Sequence, residues 1–213
     1  MNCSLCNSDI KDQIIDNQRK KYTICNNCGL ILLDKEFYVS PEAEKQRYML
    51  HENNTDNKGY IDYLNKIISS SLTPFLKPGG RLFDYGCGPE KSWAGILKEI
   101  GFHVSTYDPY FDNNKDWVDK YFDAVTAIEV FEHMITPKID LENISRCLRT
   151  GSLLIVRTML HNNNSEDFIK WWYKDDPTHV SFYSETTINY ICNRWDFELM
   201  QIKNQCEIVL KKK

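Results

Sequence analysis

Residues 81–108 read RLFDYGCGPEKSWAGILKEIGFHVSTYD, and this stretch decides the fold. A short apolar strand over 81–85 runs into a glycine turn, an apolar helical face follows over 90–100, and a second strand over 103–107 ends at Asp108. This order of strand, glycine turn, helix, strand and acid is typical of the nucleotide-binding half of a Rossmann-like α/β fold. Further short strands alternate with helical stretches toward the end of the chain, which predicts a mostly parallel sheet with crossover helices.

The residues around the glycine turn indicate which nucleotide it would bind. Lys91 stands where the dinucleotide fingerprint has its third glycine, so a pyrophosphate is disfavoured. Asp84 precedes the turn and would repel a phosphate but attract an ammonium group. Asp108 stands where an acid accepts hydrogen bonds from both ribose hydroxyls. S-adenosylmethionine is cationic and carries an adenosine without phosphates, so it meets both demands.

Several motifs in order resemble those of the class I S-adenosylmethionine-dependent methyltransferases. FDYGCGPE at 83–90 resembles their first motif, STYDPYF at 105–111 their second-strand acid motif, FDAVTAIEVFEHM at 122–134 their fourth strand and LRTGSLLIVRT at 148–158 their fifth. The whole chain also resembles a bacterial subgroup with an N-terminal zinc ribbon, through RYMLHENNTDNKGY at 47–60 and WWYKDDPTHVSFYSETT at 171–187. The resemblance implies an enzyme that transfers a methyl group.

We predict a cofactor site at the carboxyl ends of the strands. Its candidate residues follow the first, second and fourth strands or come from the segment before the sheet: Asp84, Gly86, Cys87, Gly88, Asp108, Pro109, Tyr110, Glu129 and Tyr60.

The segment between the second and fourth strands departs from the family pattern. Only residues 109–122 follow Asp108 before the next strand, and a parallel crossover alone needs at least about ten residues. We therefore predict that the sheet lacks a regular third strand. Pro109, Tyr110, Phe111 and the Asp116-Trp117 pair would then hold the adenine by stacking and hydrogen bonding, or would form an ordinary aromatic surface loop.

Methyl transfer requires alignment of the acceptor and, for a weak nucleophile, removal of a proton. His179 is the expected base because it lies in a turn-rich polar loop after the fifth strand, although it could also tie down that loop. Tyr183 and Glu129 are the other candidate catalytic residues. Glu132 and His133 are expected to serve in capping and packing rather than in catalysis. The aromatic block over 171–173 is expected to anchor the core rather than to stack on the acceptor.

Four of the eight cysteines form two C-x-x-C pairs, Cys3 with Cys6 and Cys25 with Cys28. Eighteen residues separate the pairs, which is the spacing of a structural zinc ribbon with four thiolate ligands and no open position. Redox pairs are disfavoured because neither pair opens a helix after a strand. The ribbon region has equal numbers of acidic and basic residues, which argues against nucleic-acid binding.

Three regions follow from these patterns: a zinc ribbon over 1–40, a helical linker or lid over 41–79, and an S-adenosylmethionine-binding methyltransferase domain over 80–213. His51, Asn53 and Tyr60 could reach the active site from the lid. A polar connector would have much the same composition.

The charge and hydropathy of the chain narrow the function further. The net charge of −4 lacks the basic excess of a non-specific nucleic-acid binder, and no apolar run approaches the roughly 20 residues of a membrane helix. We expect a cytoplasmic methyltransferase whose acceptor is a small molecule, such as a sugar or another secondary metabolite. The alternatives are an RNA or protein methyltransferase that uses the ribbon for recognition, and a non-catalytic module that binds the cofactor or a partner.

Overall fold

The computed structural model describes residues 2–10, 12–50 and 57–213. The predicted strand–turn–helix–strand unit is present: β4 spans Arg81–Tyr85, α3 spans Ser92–Glu99 and β5 spans His103–Tyr107. The two strands run parallel in register from Arg81 beside His103 to Tyr85 beside Tyr107. The glycine turn and Asp108 therefore lie side by side at the carboxyl ends of the strands.

A six-stranded sheet forms the larger layer of the molecule, in the order β10-β11-β7-β6-β4-β5. Its remaining strands are β6 (Phe122–Ile128), β7 (Leu148–Arg157), β10 (Phe197–Lys203) and β11 (Glu207–Lys212). β4 to β7 are parallel, whereas β11 lies antiparallel between β7 and β10. This mixed α/β sheet confirms the predicted fold class.

The prediction that the sheet lacks its third strand is also confirmed. Among the described residues no strand pairs with the outer edge of β5, so that strand ends the sheet. The short connection supplies Trp117 instead, which stacks on Phe83 with ring centroids 5.3 Å apart and meets Tyr107 edge-on at 5.4 Å. Trp117 is buried, so it packs in the core and does not face an adenine site.

Six α-helices lie around the sheets in the described part of the chain. The five besides α3 are α1 (Pro41–Met49), α2 (Lys58–Ile67), α4 (Pro137–Arg146), α5 (Ser165–Lys170) and α6 (Glu185–Arg194). Ser184 begins α6 with a reciprocal capping box to Thr187, as its sequence position predicts. A π-helical turn, Ile68–Leu72, continues α2 toward the sheet. None of the described helices combines the length and apolar character needed to cross a membrane.

The N-terminal cysteine-containing segment shares a second sheet with the rest of the chain. This sheet has the order β1-β2-β3-β9-β8, with β1 (Asp12–Ile15), β2 (Lys21–Ile24), β3 (Ile31–Leu33), β8 (Leu160–His161) and β9 (Ser181–Ser184). Ile31 lies opposite Phe182 and Leu32 opposite Ser181. The strands of the N-terminal segment therefore pair with β9, which belongs to the part of the chain that follows β7.

A buried ion pair reinforces this junction. Lys174 Nζ lies 2.9 Å from the Asp16 carboxylate, and the two side chains are only 4% and 0% exposed. Asp16 also accepts the backbone N–H groups of Gln18 and Lys20. A buried charge is tolerated only when it is paired and hydrogen-bonded, so this contact fixes the end of β1 against residues 172–175.

Candidate functional site

The glycine turn after β4 is held against β5 by backbone hydrogen bonds. The N–H groups of Gly86 and Cys87 both donate to the Tyr107 carbonyl, at 2.7 and 3.0 Å. Gly86 has a φ of +86°, and an added Cβ would come within 2.5 Å of Val130. Gly88 has a φ of +64°, but an added Cβ would meet nothing within 4 Å. The turn therefore combines a tightly packed glycine with one that borders open space.

Asp84 carries a buried carboxylate at the base of this turn. Its side chain is 2% exposed, and Oδ1 accepts only a long hydrogen bond of 3.4 Å from the Thr126 hydroxyl. Oδ2 has no hydrogen-bond partner in the part of the chain that is described. Burial, opposed by the Thr126 hydrogen bond, raises the pKa of Asp84 to about 7. A cationic group in the cleft would supply the missing partner.

Asp108, at the end of β5, organises the loop that follows it. Its Oδ2 accepts the Gly88 N–H at 3.0 Å, and its Oδ1 accepts the N–H groups of Tyr110 and Phe111 at 2.8 and 3.1 Å. Since a carboxylate offers about four acceptor positions, one position on Oδ2 stays available to a ligand.

The turn opens into a cleft of about 760 Å³ at the carboxyl ends of the parallel strands. Helices α1 and α2 cover it: Glu44 accepts hydrogen bonds from Tyr48 and from Tyr110, at 2.6 and 2.7 Å, and Tyr60 lines the wall from α2. A volume of this size is within the usual range for sites that bind small molecules. The crevice also has the position expected for a ligand site in an open α/β sheet.

The far end of the cleft is lined by a hydrogen-bonded group of carboxylates and tyrosines. Glu129 directly follows β6 with a φ of +55° and accepts a hydrogen bond of 2.6 Å from Tyr63. The Tyr173 hydroxyl donates to Glu132 at 2.6 Å and lies 3.3 Å from Glu129. Burial of the carboxyl group, together with the charge of Glu132, raises the pKa of Glu129 to about 7.

Two histidines stand beside these carboxylates. His133 Nδ1 lies 3.0 Å from the Thr178 carbonyl and His179 Nδ1 lies 2.6 Å from the Tyr173 carbonyl. The rings meet edge to face with centroids 4.9 Å apart. Because a carbonyl can only accept, each Nδ1 carries the proton and each Nε2 keeps a free lone pair. Burial, followed by the charge of His133, lowers the pKa of His179 to about 4.

The four N-terminal cysteines form a second candidate site, remote in sequence from the cleft. Their sulfur atoms converge: Cys3 Sγ lies 3.6 Å from Cys28 Sγ, and Cys6 Sγ lies 3.3 Å from Cys25 Sγ. All four cysteines are free of disulfides. Hydrogen bonding from Cys28 lowers the pKa of Cys3 to about 5. The set is suited to bind a metal ion that prefers thiolates.

The sequence matches one known protein family over the region that forms the sheet and the cleft. A family described as a methyltransferase domain matches residues 56–202, which is more than half of the chain. The chain belongs to this methyltransferase family. The matched region contains the glycine turn, Asp108 and the far end of the cleft, so the cleft is the candidate active site of a methyltransferase.

Solved structures share the fold of this methyltransferase at low sequence identity. The 1,6-didemethyltoxoflavin-N1-methyltransferase of Burkholderia thailandensis is 11% identical, with a TM-score of 0.56, covering 97% of this chain and 100% of its own. The magnesium protoporphyrin IX methyltransferase of Synechocystis PCC 6803 is 13% identical, with a TM-score of 0.55, covering 84% and 98%. No curated protein matches the sequence. These structures are similar to the methyltransferase in fold.

Most of the predicted site residues of the methyltransferase line the cleft. They are Tyr60, Asp84, Gly86, Cys87, Gly88, Asp108, Pro109, Tyr110, Glu129 and His179. Cys87 joins the turn to β5 through its backbone N–H. Burial raises the pKa of its thiol to about 12, so the thiol stays protonated at neutral pH.

Two predicted candidates, Tyr183 and Phe111, have other positions. Tyr183 is fully buried in the core, where its hydroxyl lies 3.9 Å from the Met134 sulfur, and it is not among the described residues that line the cleft. Phe111 lies beneath Lys45, 5.4 Å from its ammonium group. His51 and Asn53 lie outside the described residues.

The sequence reasoning missed several residues of the cleft. Glu132 and His133 were expected to cap and pack, yet both border the cleft, and so do Glu44 and Tyr48 of α1. A signal for Glu132 was present, because it follows Glu129 by three residues just after a strand that ends at the ligand edge. No comparable signal identifies Glu44, whose position depends on how α1 folds back over the sheet.

Proposed function

We propose that the protein transfers a methyl group from S-adenosylmethionine to a hydroxyl group of a small, uncharged acceptor, such as a sugar or another secondary metabolite. The observation that carries this proposal is the buried Oδ2 atom of Asp84 at the base of the glycine turn, which has no hydrogen-bond partner among the described residues. A buried carboxylate without a partner is unfavourable unless a cation completes the site. The membership in a methyltransferase family supports the same chemistry.

The residues of the turn fit this cofactor. Asp84 would bind the ammonium group of its methionine part, and the open space beside Gly88 admits a ligand close to the backbone. Asp108 would accept one ribose hydroxyl through its remaining position on Oδ2. The sequence led us to expect two such hydrogen bonds, and the backbone donors of Tyr110 and Phe111 already occupy the acceptor positions of Oδ1. Pro109 and Tyr110 border the same part of the cleft and would contact the adenosine.

Bound S-adenosylmethionine supplies an electrophilic methyl group on a sulfonium. The chain must hold the acceptor oxygen in line with that group and keep bulk water away. Glu129 and His179 are the residues we propose for activating the acceptor oxygen, because both have polar atoms at the far end of the cleft. His179 alone is a poor general base at neutral pH, since burial lowers its pKa to about 4. Tyr183 has no part in this proposal because its hydroxyl is buried against Met134.

The charge of the cleft disfavours an anionic acceptor. Its lining holds eight carboxylate side chains and one lysine: Glu44, Asp84, Glu90, Asp108, Glu129, Glu132, Asp140 and Asp176, with Lys91. Lys91 is itself paired with Asp112 at 2.8 Å. A nucleic acid or a phosphorylated sugar would meet repulsion from this wall.

A labelling experiment tests the proposal. The purified protein is incubated with methyl-labelled S-adenosylmethionine and separate small-molecule, RNA and protein fractions of a cell extract, beside an Asp84→Asn variant. We expect label in the small-molecule fraction with the unaltered protein and little with the variant. Label in RNA or protein would overturn the acceptor class. Tight binding of the cofactor without labelling of any fraction would favour a non-catalytic module.

We also propose that Cys3, Cys6, Cys25 and Cys28 hold a structural zinc ion. A tetrahedral zinc ion with Zn–S bonds of about 2.3 Å holds its sulfur ligands at separations close to those observed between these sulfur atoms. A closed set of four ligands leaves no position for a substrate, so the ion would stabilise the fold. In this proposal residues 1–40 form a zinc ribbon, 41–79 a helical lid and 80–213 the methyltransferase domain.

A further inference from the structure

Three potential metal ligands converge at the far end of the cleft. One carboxylate oxygen of Glu132 and one ring nitrogen from each of His133 and His179 lie within 4.8 Å of one another. Donors on opposite sides of a metal ion stand about 4.2 Å apart when each bond is about 2.1 Å. Small side-chain adjustments would therefore bring all three onto one ion.

Both histidines are held in the tautomer that a metal requires. The Thr178 carbonyl accepts from His133 Nδ1 and the Tyr173 carbonyl accepts from His179 Nδ1, which leaves both Nε2 atoms unprotonated. Metal-binding histidines in proteins have this arrangement, because a hydrogen bond from the second nitrogen fixes the ring and its tautomer. The two carbonyls belong to the segment that folds over the cleft, so the backbone itself orients the rings.

Glu132 provides an independent indication of a ligand. Its side chain is 1% exposed, Oε1 accepts the Tyr173 hydroxyl at 2.6 Å, and Oε2 has no partner among the residues that the structure describes. The neighbouring carboxylate of Glu129 adds a second negative charge, and Arg157 stands 3.4 Å from Glu129. A cation next to Oε2 would satisfy the unpaired oxygen and offset the repulsion between the two carboxylates.

We propose that Glu132, His133 and His179 bind one divalent transition-metal cation, with coordination positions open toward the cleft. Two imidazoles and one carboxylate suit ions such as Mn²⁺, Fe²⁺, Co²⁺ or Zn²⁺, and three protein ligands leave room for an oxygen of the acceptor. The ion orients and polarises that oxygen, which gives His179 its part in activating the acceptor. This inference rests on the proposed function only for the role of the ion, since the binding site itself stands on the three ligands.

Titration with Mn²⁺, followed by electron paramagnetic resonance, tests the site without any cofactor or acceptor. Mn²⁺ is the probe because it prefers nitrogen and oxygen ligands and does not compete for a four-thiolate site. We expect one Mn²⁺ per chain in the unaltered protein. The His179→Ala and Glu132→Gln variants should bind Mn²⁺ at least about tenfold more weakly. His103→Ala removes an exposed histidine of β5 and should bind as the unaltered protein does.

One further measurement separates loss of the metal site from loss of the fold. Calorimetry with S-adenosylmethionine shows whether each variant still folds and binds the cofactor, so a loss of Mn²⁺ alone would support the metal site. If the unaltered protein binds no Mn²⁺, or if both ligand variants bind it as tightly as His103→Ala does, the metal site is wrong. Failure of cofactor binding with Mn²⁺ binding intact would instead overturn the proposed function.

Discussion

Gly88 donates its backbone N–H to the carboxylate of Asp108 across 3.0 Å, although the two residues are 20 positions apart. This hydrogen bond joins the glycine turn after β4 to the end of β5. The turn is also held by the Tyr107 carbonyl, which accepts from Gly86 and Cys87. The glycine turn is therefore fixed to the ends of two adjacent strands.

The two glycines of the turn predict different effects of the same substitution. Gly86→Ala would place a Cβ 2.5 Å from Val130 at a φ of +86°, so we expect a loss of roughly 2–5 kcal/mol in the free energy of unfolding. Gly88→Ala meets no atom within 4 Å at a φ of +64°, so we expect a loss of only about 1–2 kcal/mol. Urea unfolding of both variants measures the difference.

Calorimetric binding of S-adenosylmethionine serves as the second readout for this pair. The Cβ of Gly88→Ala points into open space at the cleft, so this variant should weaken binding although it remains folded. Equal stability of the two variants would contradict the assigned packing of Gly86 on Val130. Unchanged binding in Gly88→Ala would contradict the position of the cofactor.

Asp84 predicts a pH dependence of cofactor binding. Burial raises its pKa to about 7, so the carboxylate is protonated below that pH in the free protein. The ammonium group of S-adenosylmethionine binds the ionised form, and the dissociation constant should rise by about tenfold for each pH unit below 7. Above pH 7 the constant should level off until the ammonium group of the ligand loses its own proton, at about pH 8. Calorimetry between pH 5.5 and 8.5 measures this profile.

The Asp84→Asn variant isolates that charge. It should bind the cofactor roughly 10–100-fold more weakly and should lose the pH dependence, since a hydrogen bond to a charged group contributes about 1.5–3 kcal/mol. Its stability without ligand should not fall, because the variant removes a buried charge with no close cation. Asp62→Asn, on the exposed side of α2, is the matched control. A pH profile that survives in Asp84→Asn would assign the titration to another group.

The sequence predicted the units that depend on local pattern. Periodicity, spacing and capping rules act within about 20 residues of the chain. They account for the glycine turn, the strands over 81–85 and 103–107, the absence of a third strand from the described sheet, and the Ser184 cap. The cleft at the carboxyl ends of the strands follows from the parallel topology.

The remaining features depend on contacts between distant segments. No pattern in Ile31–Leu33 indicates that this strand pairs with Ser181–Ser184, about 150 residues later. Trp117 is a sequence-based candidate for stacking on adenine, but in the structure its ring stacks on Phe83. Tyr183 follows His179 by four residues, yet it lies within β9 and its ring is buried in the core.

The four-cysteine site predicts a zinc ion that remains bound after dialysis against a chelator. Elemental analysis should find about one zinc per chain in the unaltered protein. Cys25→Ser should lose most of it and unfold at lower temperature, because structural zinc contributes folding free energy directly. Cys147→Ser replaces a buried cysteine outside the cluster and should keep its zinc. A full zinc content in Cys25→Ser would contradict the proposed ligand set.

The Lys174–Asp16 pair predicts that the ribbon unfolds together with the rest of the molecule. Lys174→Met leaves the Asp16 carboxylate buried without its cation, which should lower the free energy of unfolding by about 3–5 kcal/mol. Lys21→Met breaks an exposed, solvent-screened pair with Glu36 and should leave the free energy of unfolding nearly unchanged. Because β3 pairs with β9, the lower stability of Lys174→Met should appear as a shift of one cooperative unfolding transition. Tryptophan fluorescence and the thiol reactivity of the ribbon cysteines should both report this transition. Early exposure of those thiols, before the fluorescence change, would show instead that the ribbon unfolds as a separate unit.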